Sequence, residues 1–141
     1  MIFDYEDERE LTASELIIMR AIWDAGEDVA KMKLQEVLRE QYGKNYAMTT
    51  ISTFLVNLIN KGYIKSYRIG KMSHIHVLKS EEEYKENQIQ KQKQLWYGGK
   101  ASDLICAVFK ATEKSELTKE DTDRIRGLLD EMDDVNAGNC D

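Results

Sequence analysis

Residues 48–78 read MTTISTFLVNLINKGYIKSYRIGKMSHIHVL and combine a two-faced helix with the pattern of a short hairpin. The large apolar side chains of the first half follow the i, i+3, i+4, i+7, i+8 spacing of a single helical face. A helix with such a stripe is stable only when the stripe is buried against other elements. We therefore expect one buried face, formed by Ile51, Phe54, Leu55, Leu58 and Ile59.

The opposite face of this helix carries hydroxyl and amide side chains, namely Thr49, Thr50, Ser52, Thr53 and Asn57. These residue types favour helix formation less than Glu, Lys or Gln, so they are unusual choices for a face that is merely solvated. They can, however, form hydrogen bonds with base edges and phosphate oxygens in a major groove. A weakly polar, solvated face remains the alternative.

The segment after the helix predicts two short strands. Gly62 can take the positive φ that ends a helix, and residues 63–69 have the β-branched and aromatic content of a strand. A turn at Gly70 and Lys71 leads into residues 73–78, in which apolar and polar side chains alternate. A recognition-type helix followed by such a hairpin predicts a winged helix-turn-helix.

Charge is distributed unevenly along the chain, whose net charge is −6. Residues 1–30 have nine acidic and two basic side chains, whereas residues 31–79 have two acidic and nine basic ones. The basic excess coincides with the predicted winged helix-turn-helix. This excess of positive charge favours binding to the phosphates of double-stranded DNA. We predict that Thr50, Thr53 and Asn57 read bases. The predicted phosphate contacts are Lys44, Lys65, Arg68 and Lys71.

The remaining segments predict a mainly α protein with an acidic N-terminal arm (1–10), a winged-helix DNA-binding domain (11–79), a helical dimerisation domain (80–133) and a polar tail (134–141). Thr12 and Glu15 have the spacing of a capping box, and Gly26 can end the helix that they begin. A second helix is predicted for residues 31–42. A strand at residues 28–30 is too short to predict.

The last two predicted helices carry apolar stripes that a polar connecting helix cannot cover. A homodimer in which each subunit covers the other's stripe is the simplest solution, and folding back onto the winged domain is the alternative. The predicted dimerisation residues are Leu104, Ile105, Val108, Phe109, Ile125, Leu128, Leu129 and Met132.

No motif for an enzyme was found, since the chain lacks a phosphate-binding loop, a zinc-protease helix and a nucleophile elbow. His74 and His76 could reach one metal ion from alternate strand positions, but contact with solvent or phosphate is the more typical role, so we predict no metal and no cofactor. Cys106 and Cys140 lack metal-ligand spacing, and Cys106 is predicted to be buried. With no membrane-spanning segment, a cytoplasmic protein is expected.

Three motifs together resemble the BlaI/MecI family of penicillinase and methicillin-resistance repressors over residues 11–133. They are LTASELIIMRAIW at residues 11–23, TISTFLVNLINKGYI at residues 50–64, and the pair Gly98 and Gly99. The resemblance implies a homodimeric winged-helix repressor on a palindromic operator. It places Thr49, Thr50, Ser52, Thr53 and Asn57 on the face of the recognition helix toward the groove.

The sequence also departs from that family. Its better-known members carry basic side chains where Thr49 and Ser52 stand, and they are inactivated by cleavage of an Asn-Phe bond that this chain does not contain. The copper-responsive branch has a Cys-x-Cys pattern, whereas Cys140 stands alone. No residue identifies a sensor or protease partner. A winged-helix module that binds a protein and no DNA is the alternative function.

Overall fold

The structure, a computed structural model, describes residues 10–138, so that most of the predicted N-terminal arm lies outside the described residues. Three helices and a short strand come first in the chain: α1 (Ala13–Ala25), β1 (Val29–Ala30), α2 (Lys31–Gln41) and α3 (Met48–Asn60). The predicted capping box begins α1, where the Glu15 amide donates to Thr12 Oγ1 at 3.2 Å and the Thr12 amide donates to Glu15 Oε1 at 2.9 Å. Gly26 ends α1 with a φ of 70°.

A single apolar core holds these helices together. Its fully buried large side chains come from all three helices and from the hairpin that follows them: Ile18, Met19, Ile22, Leu34, Leu38, Ile51, Leu58, Ile64 and Ile75. The stripe of α3 is buried as predicted at Ile51, Leu55 and Leu58 and partly buried at Phe54. Ile59 is exposed, because eight residues at 3.6 per turn carry it well away from Ile51 around the helix.

The wing is the antiparallel hairpin of β2 (Ile64–Ile69) and β3 (Met72–Val77). β1 pairs with β3 in the order β1-β3-β2, with Val29 opposite Ile75, so the hairpin is one part of a three-stranded sheet. These elements confirm the predicted winged helix-turn-helix. The register places Ile64 opposite Val77 and Ile69 opposite Met72.

Three further helices follow the wing: α4 (Glu81–Tyr97), α5 (Ala101–Lys110) and α6 (Lys119–Gly138), with a short 3-10 helix at Lys114–Glu116. The Ser80 hydroxyl accepts from the Glu83 amide at 3.1 Å at the start of α4. Thr118 caps α6, where its hydroxyl accepts from the Asp121 amide at 3.1 Å. None of the described helices is long and apolar enough to cross a membrane.

The chain divides into two compact units between Trp96 and Tyr97. Nearly all of α4 therefore belongs with the winged helix, whereas the sequence placed the division at residues 79 and 80. Side chains also join α4 to this unit, since the Tyr84 ring lies 5.6 Å from that of Trp23 in α1 and 6.1 Å from that of Tyr63.

Two predictions for the C-terminal unit are wrong. Residues 134–138 are helical and belong to α6, since Val135 continues the stripe of Leu128 and Met132 at helical spacing. Cys106 is exposed, because it lies four residues from Ser102 and four from Lys110, on the polar side of α5. Cys140 lies outside the described residues.

Candidate nucleic-acid interface

The polar face of α3, defined by Thr49, Thr50, Ser52, Thr53 and Asn57, lies on the solvent side of the helix opposite the core. Ser52 is partly buried at its edge, and the other four residues are exposed. Val56 and Asn60 are also exposed there, with Val56 at 54%. These two residues were not among the predicted ones, although residues 49, 53, 56 and 60 share one helical face by their i, i+4, i+7, i+11 spacing.

Two hydroxyls of this face bond to their own helix. The Ser52 hydroxyl donates to the Met48 carbonyl at 2.9 Å, and the Thr53 hydroxyl donates to the Thr49 carbonyl at 3.1 Å. Each bond occupies the hydroxyl proton and leaves an oxygen lone pair that can still accept. Within residues 10–138, the side chains of Thr50 and Asn57 make no hydrogen bond. They can therefore both donate to and accept from a ligand.

Lys31 adds a cation that the sequence did not reveal. It is the first residue of α2, and its ammonium group donates to the hydroxyl of Ser52. α3 itself contains no charged side chain. The contact joins residues 21 positions apart, so it depends on how α2 and α3 pack. No local sequence signal could have shown it.

The predicted basic residues of the wing do not share one face. Neighbouring strand residues point to opposite sides, and the register fixes which side chains stand together. Arg68 lies with the buried Ile64 and Ile75 on the inner face, opposite Ser73. Lys65 lies on the outer face, opposite His76, and Lys71 is in the turn. Lys44, partly buried, lies between α2 and α3, and its amide donates to the Leu38 carbonyl at 2.9 Å.

A polar cluster anchors the outer face of the wing, which comprises Lys65, Tyr67, Ile69, Met72, His74 and His76. The Tyr67 hydroxyl donates to Asp28 Oδ2 at 2.6 Å, and His76 Nδ1 lies 2.8 Å from Asp28 Oδ1. The bond from Tyr67, followed by that from His76, lowers the pKa of Asp28, and the same carboxylate raises the pKa of Tyr67. The His74 ring stacks on Tyr67 at 5.5 Å. Asp28 thus ties the wing to the turn after α1.

The described residues hold no group of three or more metal-ligating side chains placed to bind an ion. Electrostatics instead favour a polyanion. From Gln41 to Ser80 the sequence has no Asp or Glu, while Lys44, Lys61, Lys65, Arg68, Lys71 and Lys79 all lie in that stretch. A stretch of chain with six cations and no acidic side chain, which includes an exposed polar helix, is suited to phosphate.

The apolar residues predicted to form a dimer lie in α5 and α6, in the C-terminal unit. Leu104 and Ile125 are partly buried, and the other six are exposed. The exposed fractions range from 45% at Phe109 to 67% at Met132. These two helices therefore leave most of their apolar stripes uncovered within their own unit.

The sequence model of the penicillinase repressor family matches residues 11–131, which includes the winged unit, α4, α5 and most of α6. The chain belongs to this family. Membership confirms the BlaI/MecI resemblance, and with it a DNA-binding, winged-helix transcriptional repressor as the general function. Penicillinase repressor family members are in general not enzymes.

Two individual proteins are also similar to this member of the penicillinase repressor family. A Latilactobacillus sakei protein described as an uncharacterized 16.5 kDa protein in the ptsI 3′ region is 27% identical over 111 residues, covering 79% of this chain and 74% of its own. The crystal structure of Streptococcus pneumoniae FabT in complex with DNA is 17% identical, covers 89% of this chain and 78% of that one, and has a TM-score of 0.43.

Proposed function

We propose that this repressor binds a palindromic operator as a homodimer, with the polar face of α3 in the major groove and the wing beside it. The observation that supports this proposal is the exposed, acid-free face of α3, with Lys31 at one edge and the wing following in the chain. An α-helix fits the major groove, where each base pair presents a distinct pattern of donors, acceptors and methyl groups.

The side chains divide into two roles. Thr50, Thr53 and Asn57 contact base edges, and an Asn amide is suited to adenine, which offers an acceptor and a donor side by side. Thr49 and Ser52, both in the first half of the helix, contact the backbone or bases there. The phosphate contacts come from Lys31, Lys44, Lys65, Arg68 and Lys71, and these fix position without reading sequence.

The exposed apolar side chains of α5 and α6 in the C-terminal unit support the proposed dimer. Contiguous apolar stripes are rare on the surface of a monomer, because leaving them in water forgoes their burial energy. A two-fold symmetric dimer would cover the α5 and α6 stripes with identical stripes of the partner, and two-fold symmetry matches a palindromic site. The proposed interface residues are Leu104, Ile105, Val108, Phe109, Ile125, Leu128, Leu129 and Met132, and we include Val135 because it is also exposed.

A gel-shift titration with the DNA upstream of the protein's own gene tests the proposal. Binding should weaken steeply between low and high salt. Lys and Arg side chains that bind phosphates release counterions from the DNA, and this release becomes less favourable as the salt concentration rises. Asn57→Ala should cost about 1 to 3 kcal/mol on this DNA and little on a random duplex of equal length.

Asn87→Ala is the matched control, since Asn87 is also an exposed asparagine, on α4. It should bind both DNAs as the unsubstituted protein does. Equal losses on both DNAs for Asn57→Ala would exclude it from base readout. Absence of binding at any salt concentration would favour a protein-binding module over a repressor.

A further inference from the structure

Two large apolar side chains stand exposed at the tip of the wing. Ile69 is 62% exposed and Met72 is 45% exposed. The register places them directly opposite each other, as the last pair before the Gly70 and Lys71 turn and on the same outer face. Cross-strand neighbours of this kind lie close enough to form one continuous apolar surface.

This tip projects well beyond the core. The last buried residue of β3 is Ile75, which pairs with Ser66, and the Ile69 and Met72 pair lies three residues farther along each strand. At about 3.4 Å per residue, the pair stands about 10 Å past the point where the hairpin is anchored. That length is comparable to the radius of a DNA duplex, so the tip can pass the backbone beside a helix in the major groove.

The outer face behind the tip holds the pair in place. Tyr67 and His74 form the next pair, their rings stacked at 5.5 Å, and Asp28 accepts a hydrogen bond of 2.6 Å from the Tyr67 hydroxyl. Gly70 has a φ of 61° while the φ of Lys71 is not positive, which is the pattern of a tight II′ hairpin turn. Because the tight turn and the neighbouring pair already order Ile69 and Met72, these side chains lose little conformational entropy when they bind a partner.

The charged side chains near Ile69 and Met72 indicate the kind of partner that the pair binds. Lys71 lies in the turn between the two residues, Arg68 precedes Ile69 on the opposite face, and both are exposed. No acidic residue occurs from Gln41 to Ser80. An apolar pair flanked by cations fits the minor groove, where Ile and Met side chains wedge between base steps while basic residues contact the adjoining phosphates.

We propose that Ile69 and Met72 form a wedge that enters the minor groove next to each half-site, partly unstacks a base step and bends the DNA. The inference rests on the proposed function, because the wedge reaches DNA only when α3 is docked in the major groove. Specificity then includes the deformability of the step at the tip, in addition to the bases that α3 contacts.

The test measures bending by the full-length protein on its own upstream DNA, by circular-permutation gel shift. The double substitution Ile69→Ser and Met72→Ser should abolish the bend and weaken binding about tenfold, because the contacts that a bend makes possible are lost. Its salt dependence should stay unchanged, since no charge is removed. Lys71→Ala should instead keep the bend and lower the slope of log affinity against log salt by about 1.

Ile89→Ser is the matched control, because Ile89 is an isoleucine of α4 with 57% exposure, and it should bend DNA normally. A bend that persists in the double variant, or binding without any bend by the unsubstituted protein, would overturn the wedge but not the repressor. A double variant that sediments as a monomer would also overturn it, because the tip would then contact a second copy. Failure of the unsubstituted protein to bind at all would overturn the proposed function itself.

Discussion

The pair Lys61 and Glu15 is the most buried ionic contact of the described residues. Glu15 is 2% exposed, and the Lys61 ammonium group donates to its Oε1 at 2.6 Å and to the Glu10 carbonyl at 3.0 Å. Burial raises the pKa of Glu15, but hydrogen bonds from Lys61 and from Thr12 outweigh it and hold the pKa below its usual value of 4.5. One carboxylate thus caps α1 and binds the residue that ends α3.

Lys61→Met should lower the free energy of unfolding at pH 7 by about 3 kcal/mol, because it leaves a buried carboxylate without its cation. A carboxyl group with a depressed pKa stabilises the fold above its unfolded pKa, and this contribution is lost as pH falls through the folded pKa. The difference between variant and unsubstituted protein should therefore shrink at a pH well below 4.5. Urea titrations at the two pH values measure both effects.

Lys85→Met provides the control for that experiment. Lys85 pairs with Glu81 at 3.3 Å on the surface of α4, where both side chains are well exposed. Exposed pairs contribute little, so the substitution should change stability by less than about 1 kcal/mol at either pH. Similar losses for both lysines would show that the burial of Glu15 is not the cause.

At the scale of elements, α4 is held to the winged helix by few contacts. The helix is polar and has no buried residue, and its only described ring contacts are those of Tyr84 with Trp23 and Tyr63. Lys91 adds an ion pair with Glu10. Few apolar contacts predict low local stability.

Tyr84→Ala should release α4 while leaving the three-helix core folded. We expect amide hydrogen exchange to accelerate across α4 by about fivefold or more, since losing an aromatic contact costs about 1 kcal/mol. Exchange in α1 and α3 should be unchanged. Lys85→Ala, one residue along, is the control and should leave α4 protected. Unchanged α4 protection in the Tyr84 variant would contradict this picture.

Local signals predicted the elements well because each is set by a few neighbouring residues. Thr12 with Glu15 begins α1, Gly26 ends it, and Gly62 follows α3 with a φ of 85°. The error at residues 134–138 arose where no such signal exists: a run of polar residues resembles a tail, and only Val135 continues the stripe. The contacts of Tyr84 with Trp23 and Tyr63 join α4 to the winged helix, and periodicity does not encode them.

At the scale of the whole molecule, the candidate interface is assembled from parts that are distant in sequence. The α3 residues and the wing were predictable because helix and strand periods place their side chains. The alternation of side chains along a strand likewise explains why Lys65 and Arg68 lie on opposite faces of the wing. The position of Lys31 does not, because it depends on packing between α2 and α3, and the roles of all these residues in DNA binding remain predictions.

Replacing Val108 by Asp should make the protein a monomer in sedimentation equilibrium at micromolar concentration. Val108 is 58% exposed on α5, and a carboxylate there would have to be buried without a partner in the proposed dimer. DNA affinity should fall with it, because a single half-site binds far more weakly than two linked ones. Ser102→Asp, on the polar side of α5, should leave the dimer intact. A dimeric Val108 variant would place the interface elsewhere.

The wing turn has a consequence for protein chemistry. A Cβ in the L configuration on Gly70 would meet no atom within 4 Å, so an L-residue is opposed at this position by the backbone strain of a φ of 61° and not by a clash. D-alanine prefers that region of backbone space, as the mirror image of L-alanine. A semisynthetic protein with D-alanine at this position should therefore keep the hairpin and gain stability, since the unfolded chain would have fewer conformations to lose.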